Sequence, residues 1–404
     1  MAGQLPDGVP LPQDGSLAPE VCIDASSRTF SAYVHIPFCS VRCGYCDFNT
    51  YTSSELGSVS QQTFSEHLTS EIHFSSEVLA RAQMPSRALH TVFFGGGTPT
   101  LLPSSDLIGV LSSLRETFGL AEQCEITTEA NPDTFTLDYA QQLAEAGFTR
   151  VSIGMQSAVD HVLRTLDRTH QPENVSRAVT AARTAGLDVS VDVIYGAPAE
   201  SLDDWRRTVD EVLRLDVSHI SAYALIVEQG TALERKIRSG HLPAPDDDLQ
   251  ADMYEYADSA FSQSGFSWYE LSNWSTNAHT QSRHNTAYWQ NQDWWGYGPG
   301  AHSHIGGQRF WNVKHPSAYA ERLASGSTPV FASEFPDEQS RRLEDVLLGI
   351  RLASGLPMSG WPPAVIDELI HDGLIDPENY AHKRLVLSLS GRLRADEVVR
   401  RLTA

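Results

Sequence analysis

Cations are scarce in this sequence. Lysine and arginine number 29 against 51 aspartates and glutamates, leaving a net charge of −22 with histidine neutral. A surface this acidic repels polyphosphate, which excludes an electrostatically driven nucleic-acid binder and disfavours contact with anionic lipid. No run of about 18 apolar residues occurs, so no membrane-spanning helix is expected. The first thirty residues lack a basic start followed by an apolar stretch, and no secretory signal is read there. Cysteines are few: five, an odd number, with three inside eight positions, which is not a disulfide framework. A cytoplasmic location is expected, because thiolates awaiting a metal survive where the medium is reducing. The 404 residues, 41% hydrophobic and 20% charged, allow one large globular domain with one or two small ones.

Residues 1–30 are rich in Pro, Gly, Ser and Asp, carry no apolar period, and read as a disordered tail. From residue 31 to about 265, short β-branched or aromatic runs alternate with helical patterns. Strands are expected over 32–36, 91–94, 125–128, 150–153, 189–194 and 219–223, and helices over 61–82, 105–118, 137–146, 173–185 and 203–215. Serial βα units imply a parallel sheet with right-handed crossovers. Six strands are too few to close a full barrel, so the expected fold is α/β, a partial TIM-like (β/α)6 barrel. A flat doubly wound sheet satisfies the same pattern. Residues 266–333 read as a further segment rich in aromatic residues and histidine, the part expected to serve a flat macrocyclic ligand. Residues 334–404 turn to amphipathic helices with one short strand, a helical or winged-helix-like module that carries more acidic than basic residues.

Chemistry concentrates after the first strand, in Cys39-Ser40-Val41-Arg42-Cys43-Gly44-Tyr45-Cys46. Closely spaced thiolates on a loop can hold one face of a four-iron cluster. Three cysteines serve three irons and leave the fourth open. A zinc site needs four ligands, and the fourth would have to come from far away. Cys22 and Cys124 have no partner at a useful spacing. Further on, Gly95-Gly96-Gly97-Thr98-Pro99 follows the second strand, where glycines let backbone amides approach a ligand. It lacks the Lys-Ser/Thr of a phosphate loop. Glu129, Gln156, Arg168 and Asp192 fall at or near the C-terminal ends of later strands, where parallel α/β folds bind ligands.

The Cys-x3-Cys-x2-Cys string, with an aromatic before its third cysteine, resembles the radical S-adenosylmethionine superfamily. Tyr33-Val34-His35-Ile36-Pro37-Phe38 before it and Asp47-Phe48-Asn49-Thr50 after it narrow the resemblance to the oxygen-independent coproporphyrinogen III oxidase-like group, and within it to the haem-chaperone branch. The resemblance implies a [4Fe–4S] cluster on Cys39, Cys43 and Cys46. It implies S-adenosylmethionine contacts at Tyr33, Tyr45, Gly96, Gly97, Thr98, Glu129, Gln156, Arg168, Asp192 and Ala224, with His302 as a further candidate in that site. His284-Asn285-Thr286-Ala287-Tyr288-Trp289 is similar to a His-Asn-x-x-Tyr-Trp motif of the chaperone branch. It implies His284 as a haem-iron ligand, with Tyr288 and Trp289 as pocket walls; on its own residues, His284 reads equally as a core histidine. Haem would be cargo for an acceptor protein, such as a haem protein in a membrane. The second reading is the decarboxylating oxidase, which usually has a cysteine where this chain has Phe48 and a longer N-terminal extension. A plain electron carrier would leave the open iron unexplained.

Overall fold

The computed structural model describes residues 7–52, 55, 60–380 and 382–404. In chain order the elements are β1 (Phe30–Ile36), α1 (Gln61–Arg81), β2 (Leu89–Gly96), α2 (Ser104–Phe118), β3 (Leu120–Ala130), α3 (Leu137–Ala146), β4 (Arg150–Gln156), α4 (Asp160–Thr165), α5 (Pro172–Thr184), β5 (Asp188–Tyr195), α6 (Leu202–Arg214), β6 (His219–Ala224), α7 (Ala232–Arg238) and α8 (Asp247–Gln263). Then come β7 (Ser267–Glu270), β8 (Asn273–Ser275), α9 (Arg283–Trp289), β9 (Asp293–Tyr297), β10 (His302–Ile305), β11 (Gln308–Asn312), α10 (Pro316–Ala324) and β12 (Val330–Glu334). The chain ends with α11 (Glu338–Gly349), β13 (Leu356–Pro357), α12 (Pro363–His371), α13 (Pro377–Tyr380), β14 (Arg384–Leu385), α14 (Leu389–Leu393) and α15 (Ala395–Thr403).

Strands β1 to β6 lie side by side and parallel, as the βα alternation requires. Successive side chains on a strand face opposite sides, and the sequence sorts them accordingly. On β4, Val151, Ile153 and Met155 are buried in the main apolar core, while Arg150, Ser152, Gly154 and Gln156 line a cavity. On β5, Val189, Val191 and Val193 take the core side, while Ser190, Asp192 and Ile194 take the cavity side. One face is thus packed with hydrocarbon and the other is polar, which is what a partial barrel with an inner binding space needs.

Residues 266–333 do not form a segment of their own. They extend both edges of the sheet, in the order β12-β11-β10-β9-β1-β2-β3-β4-β5-β6-β8-β7. Strand β9 joins β1 in parallel, and the other added strands pair antiparallel. The tryptophans that mark the segment pack into this extended sheet: Trp274, Trp295 and Trp311 are buried. Residues 334–404 build a second, smaller core around Val346, Ile350, Leu369, Leu385 and Val398. Arg392 ties it to the barrel, bridging to Asp258 of α8 at 2.7 Å and lying over the Trp268 ring at 4.5 Å.

The N-terminal segment corrects the sequence reading. Residues 1–6 lie outside the described residues, but 7–30 are not a disordered tail. Val9 pairs with Ser333 of β12, and Val21 is 0% exposed in the main core. The segment is irregular, two short 3-10 turns anchored at isolated apolar residues, so it carries no period for sequence reading to detect. Its anchor is Asp293 at the start of β9. That carboxylate, with a side chain 0% exposed, accepts from Arg28 at 3.0 Å, Arg87 at 2.7 Å and the Gly306 amide at 2.8 Å. Removing one partner of a buried ion pair strands the others, at a cost of roughly 3–5 kcal/mol. Asp293→Ala should therefore lower the urea midpoint by an amount worth about 3 kcal/mol and make residues 7–30 protease-sensitive. An unchanged midpoint would mean that the segment is not held this way.

Candidate cluster and ligand cavity

The cysteine loop leaves β1 and is fixed on three sides by backbone. The Cys39 amide donates to Tyr51 O at 3.0 Å, Gly44 donates to Leu166 O, and Leu233 of α7 donates to Gly44 O at 2.8 Å. A Cβ at Gly44 would press on the Asp167 carboxylate, which would have to move aside. Below the loop runs the glycine turn after β2. Gly97 donates to Ile36 O at 2.8 Å and Thr98 to Phe38 O at 2.7 Å. His35 supports the loop from below. Its ring sits between Tyr33 Oη and the Asn49 carbonyl, each at 2.9 Å, and burial lowers its pKa to about 4, so it is neutral.

Cys39, Cys43 and Cys46 all face one cavity of about 560 Å3. The thiols are close enough to feel one another: burial raises Cys39 and pushes Cys46 up to about 12, and the neighbouring thiolates add to both shifts. Among the described residues, no three His, Cys, Asp or Glu side chains converge as a single-ion site would require. A cubane presents separate irons, so three thiols spread around a shared space suit a cluster better than zinc. Arg168 reaches this wall, with Nη1 3.6 Å from Cys43 Sγ and Nη2 donating to Gly154 O at 3.0 Å.

The same cavity is lined by Tyr33, Tyr45, Gly96, Gly97, Thr98, Glu129, Gln156, Asp192 and Ala224. Glu129 accepts from the Gly96 amide at 3.0 Å; burial, and then the charge of Asp192, raises it to about 8. Burial also raises Asp192, which accepts from Ser152 Oγ at 2.8 Å. Gln156 has φ +63°, in the left-handed region, where β4 breaks register against β5. Such strain in a non-glycine residue costs of order 1–3 kcal/mol and clusters at functional sites; here the break falls at a residue lining the cavity.

His284 and Tyr288, one helical turn apart on α9, face this cavity too. Glu125 of β3 fixes the helix, accepting from the His284 and Arg283 amides at 3.0 Å. The imidazole is 2% exposed and stacks on Phe93 at 5.0 Å. Its Nδ1 pairs with Thr91 Oγ1 at 2.6 Å and its Nε2 with Tyr288 Oη at 2.9 Å. Burial lowers its pKa to about 3, so it is neutral at physiological pH.

Two candidates lie elsewhere. Trp289 does not line this cavity. The residue after Tyr288 sits about 100° round the helix, and Trp289 borders a separate space with Gly349, Leu352 and Arg384 of the C-terminal region. His302 is exposed at the start of β10, stacked on Trp311 at 5.7 Å, and is not among the cavity-lining residues. Conversely, Arg150, His219, Phe48 and Ile226 line the cavity and were not singled out as site residues. Period two carries the signal for Arg150: counting back by twos from Gln156 reaches it at the base of β4. His219, held between Ser190 Oγ at 2.7 Å and Tyr269 Oη at 2.8 Å, needs the β5–β6 register to be seen.

The cysteine loop and glycine turn can be tested together. A Cβ at Gly97 would stand 2.5 Å from Phe38 O, whereas at Gly109 on α2 it would meet nothing within 4 Å. Gly97→Ala should lower iron and sulfide content after anaerobic reconstitution, and Gly109→Ala should not. Cys39→Ala, Cys43→Ala and Cys46→Ala should each abolish the brown chromophore, while Cys124→Ala keeps it. A chromophore lost with Cys124 would overturn the ligand assignment.

A family model described as the radical SAM superfamily matches residues 33–212. The chain is 47% identical over 379 residues to the heme chaperone HemW of Mycobacterium tuberculosis strain H37Rv, covering 93% of this chain and 95% of that one. It is 32% identical over 381 residues to the heme chaperone HemW of Bacillus subtilis strain 168, covering 91% and 97%. Among solved structures, coproporphyrinogen III oxidase (HemN) from Escherichia coli, a radical SAM enzyme, superposes with a TM-score of 0.78 over 93% of this chain and 90% of that one. Identity there is 22%, so that likeness speaks for the fold alone. Membership of the superfamily implies a [4Fe–4S] cluster and S-adenosylmethionine, and the three thiols around one cavity fit that pair. The chain belongs to the radical SAM superfamily and, within it, to the family of the heme chaperone HemW.

Proposed function

We propose that this protein is a haem chaperone, a radical SAM scaffold that binds haem as cargo and passes it to an acceptor protein. What carries the reading is that His284 and Tyr288 of the His-Asn-x-x-Tyr-Trp string line the same cavity as the three cysteines, in a chain that matches HemW proteins over nearly their whole length. The cluster, when bound, offers one iron that no cysteine ligates. Around that position the backbone of Gly96, Gly97 and Thr98 holds the methionine end of S-adenosylmethionine. Glu129 and Asp192 suit its ammonium and ribose hydroxyls, and Arg168 suits its carboxylate. His284 is the proposed haem-iron ligand. Being neutral, it needs to lose no proton to bind iron, but Nε2 must exchange the Tyr288 phenol for the metal. The acceptor is a haem protein, in a membrane or free. No helix among the described residues is long and apolar enough to cross a membrane.

The direct test is transfer. Haem-loaded protein mixed with an apo haem protein should hand haem over, read as decay of one Soret band and growth of another. Steady anaerobic conversion of coproporphyrinogen III to protoporphyrinogen IX would favour the oxidase reading instead. His284→Ala should shift the Soret maximum and weaken haem binding with cluster content unchanged, whereas Tyr288→Phe, which removes the hydrogen bond haem must displace, should keep the spectrum and bind haem at least as tightly. If His284→Ala leaves spectrum and affinity intact, His284 is a core histidine.

A second expectation follows from Glu129. An acid raised from 4.5 to about 8 is neutral at pH 7 in the ligand-free chain. A cationic ammonium binds its ionised form, so binding must release a proton below pH 8 and grow tighter as pH rises. The S-adenosylmethionine affinity should increase between pH 6 and 8, by up to roughly tenfold per unit at the low end. Calorimetry in buffers of different ionisation heat should detect the released proton, and Glu129→Gln should abolish both effects. A pH-independent affinity in the native chain would rule out an ammonium at Glu129.

A further inference from the structure

The mouth of the cavity is apolar in a way that S-adenosylmethionine does not explain. Val41, Phe48 and Ile226 are 51%, 61% and 68% exposed, yet each lines the cavity. Val41 and Phe48 lie on the cysteine loop, and Ile226 follows β6. The two loops meet at the mouth: Asp47 and Phe48 from one, Ile226 and Glu228 from the other, line the same cavity. Exposed apolar side chains gathered at one opening mark a site for an apolar ligand or partner. The polar groups assigned to the charged methionine end of S-adenosylmethionine, among them Glu129 and Arg168, are distinct from this apolar rim.

The interior, at about 560 Å3, falls in the range of one drug-sized ligand. Its two working walls abut. Tyr33 stacks on Phe93 at 6.3 Å, and Phe93 stacks on His284 at 5.0 Å, so a single ring separates the S-adenosylmethionine contact from the imidazole. A porphyrin is a plate several rings wide with apolar faces. With its iron directed at His284, such a plate would extend past the edge of Phe93 toward Tyr33 and the mouth.

Building on the haem-chaperone reading, we propose that haem enters this cavity edge-first, with its iron toward His284 and its outer edge held by Val41, Phe48 and Ile226, so that haem and S-adenosylmethionine exclude one another. Each ligand then weakens the other by the same factor. The rim residues act on haem alone.

The test titrates haem into the full-length, cluster-reconstituted protein at rising S-adenosylmethionine, reading the Soret band, with bound S-adenosylmethionine measured by equilibrium dialysis. The apparent haem Kd should rise in proportion to S-adenosylmethionine, to roughly tenfold weaker at ten times its own Kd. Saturating haem should release S-adenosylmethionine. The double variant Phe48→Ser, Ile226→Ser, altered at two exposed side chains, should weaken haem by about tenfold or more and leave S-adenosylmethionine affinity unchanged. Simultaneous binding of both ligands at unchanged affinity would overturn the proposal, as would a double variant that binds haem like the wild type; in either case haem still binds, and the chaperone reading survives. A wild type that shows no Soret change without S-adenosylmethionine would sink both.

Discussion

Every part of the site depends on one backbone contact, the glycine turn after β2 lying directly under the cysteine loop after β1. The β1–β2 ladder pairs Ile36 with Gly96 and runs on past the strand ends, through Gly97 to Ile36 O and Thr98 to Phe38 O. No side chain fits between the two loops, because a Cβ at Gly97 would press on the Ile36 and Phe38 carbonyls. The Thr98 hydroxyl is thereby brought to Cys39. Since β1 lies mid-sheet, flanked by β9 and β2, the loop inherits the rigidity of the most constrained part of the fold. A cluster scaffold needs this, since three thiols must keep their mutual positions before any iron arrives.

The sheet extension is the second support. Asn49, just past the cysteines, donates to Pro299 O and Lys314 O, both at 2.9 Å, so the added strands hold the back of the cysteine loop. Their turn rests on Glu71 of α1. That carboxyl accepts from the Gly298 amide and Asn312 Nδ2, each at 2.7 Å, and from Tyr319 Oη, while burial raises it to about 7. A buried group with three donors is costly to disturb, because its loss strands all three. The region that stands out in the sequence for its tryptophans thus braces the cluster loop from a distance.

The barrel strands and helices were legible because two periods survive in the sequence, helical for the covering face and alternate for the strands. The cysteine and glycine motifs were legible because chemistry and sterics leave few other residue types possible. What escaped detection has no local signature. Residues 7–30 are held by Asp293, whose partners Arg28 and Arg87 are 265 and 206 positions away. Strands β7 to β12 are three to five residues long, too short for alternation to register, and only pairing places them at opposite edges. His302 reads as a site residue through the family resemblance alone, and the glycines before it serve the close approach to Asn49 and His35.

Trp289 teaches the most about reading a motif. Within His-Asn-x-x-Tyr-Trp the six positions make almost two turns of helix, so they cannot all face one way. His284 and Tyr288 point inward. Trp289 points toward Gly349 and Leu352, beside Asn291, which reaches Asp345 of α11 at 3.4 Å. The string therefore carries two kinds of constraint, one toward the ligand space and one toward the C-terminal region. The two constraints meet in one short helix: Glu125 holds its N-terminus at His284, and Trp289 closes its other end.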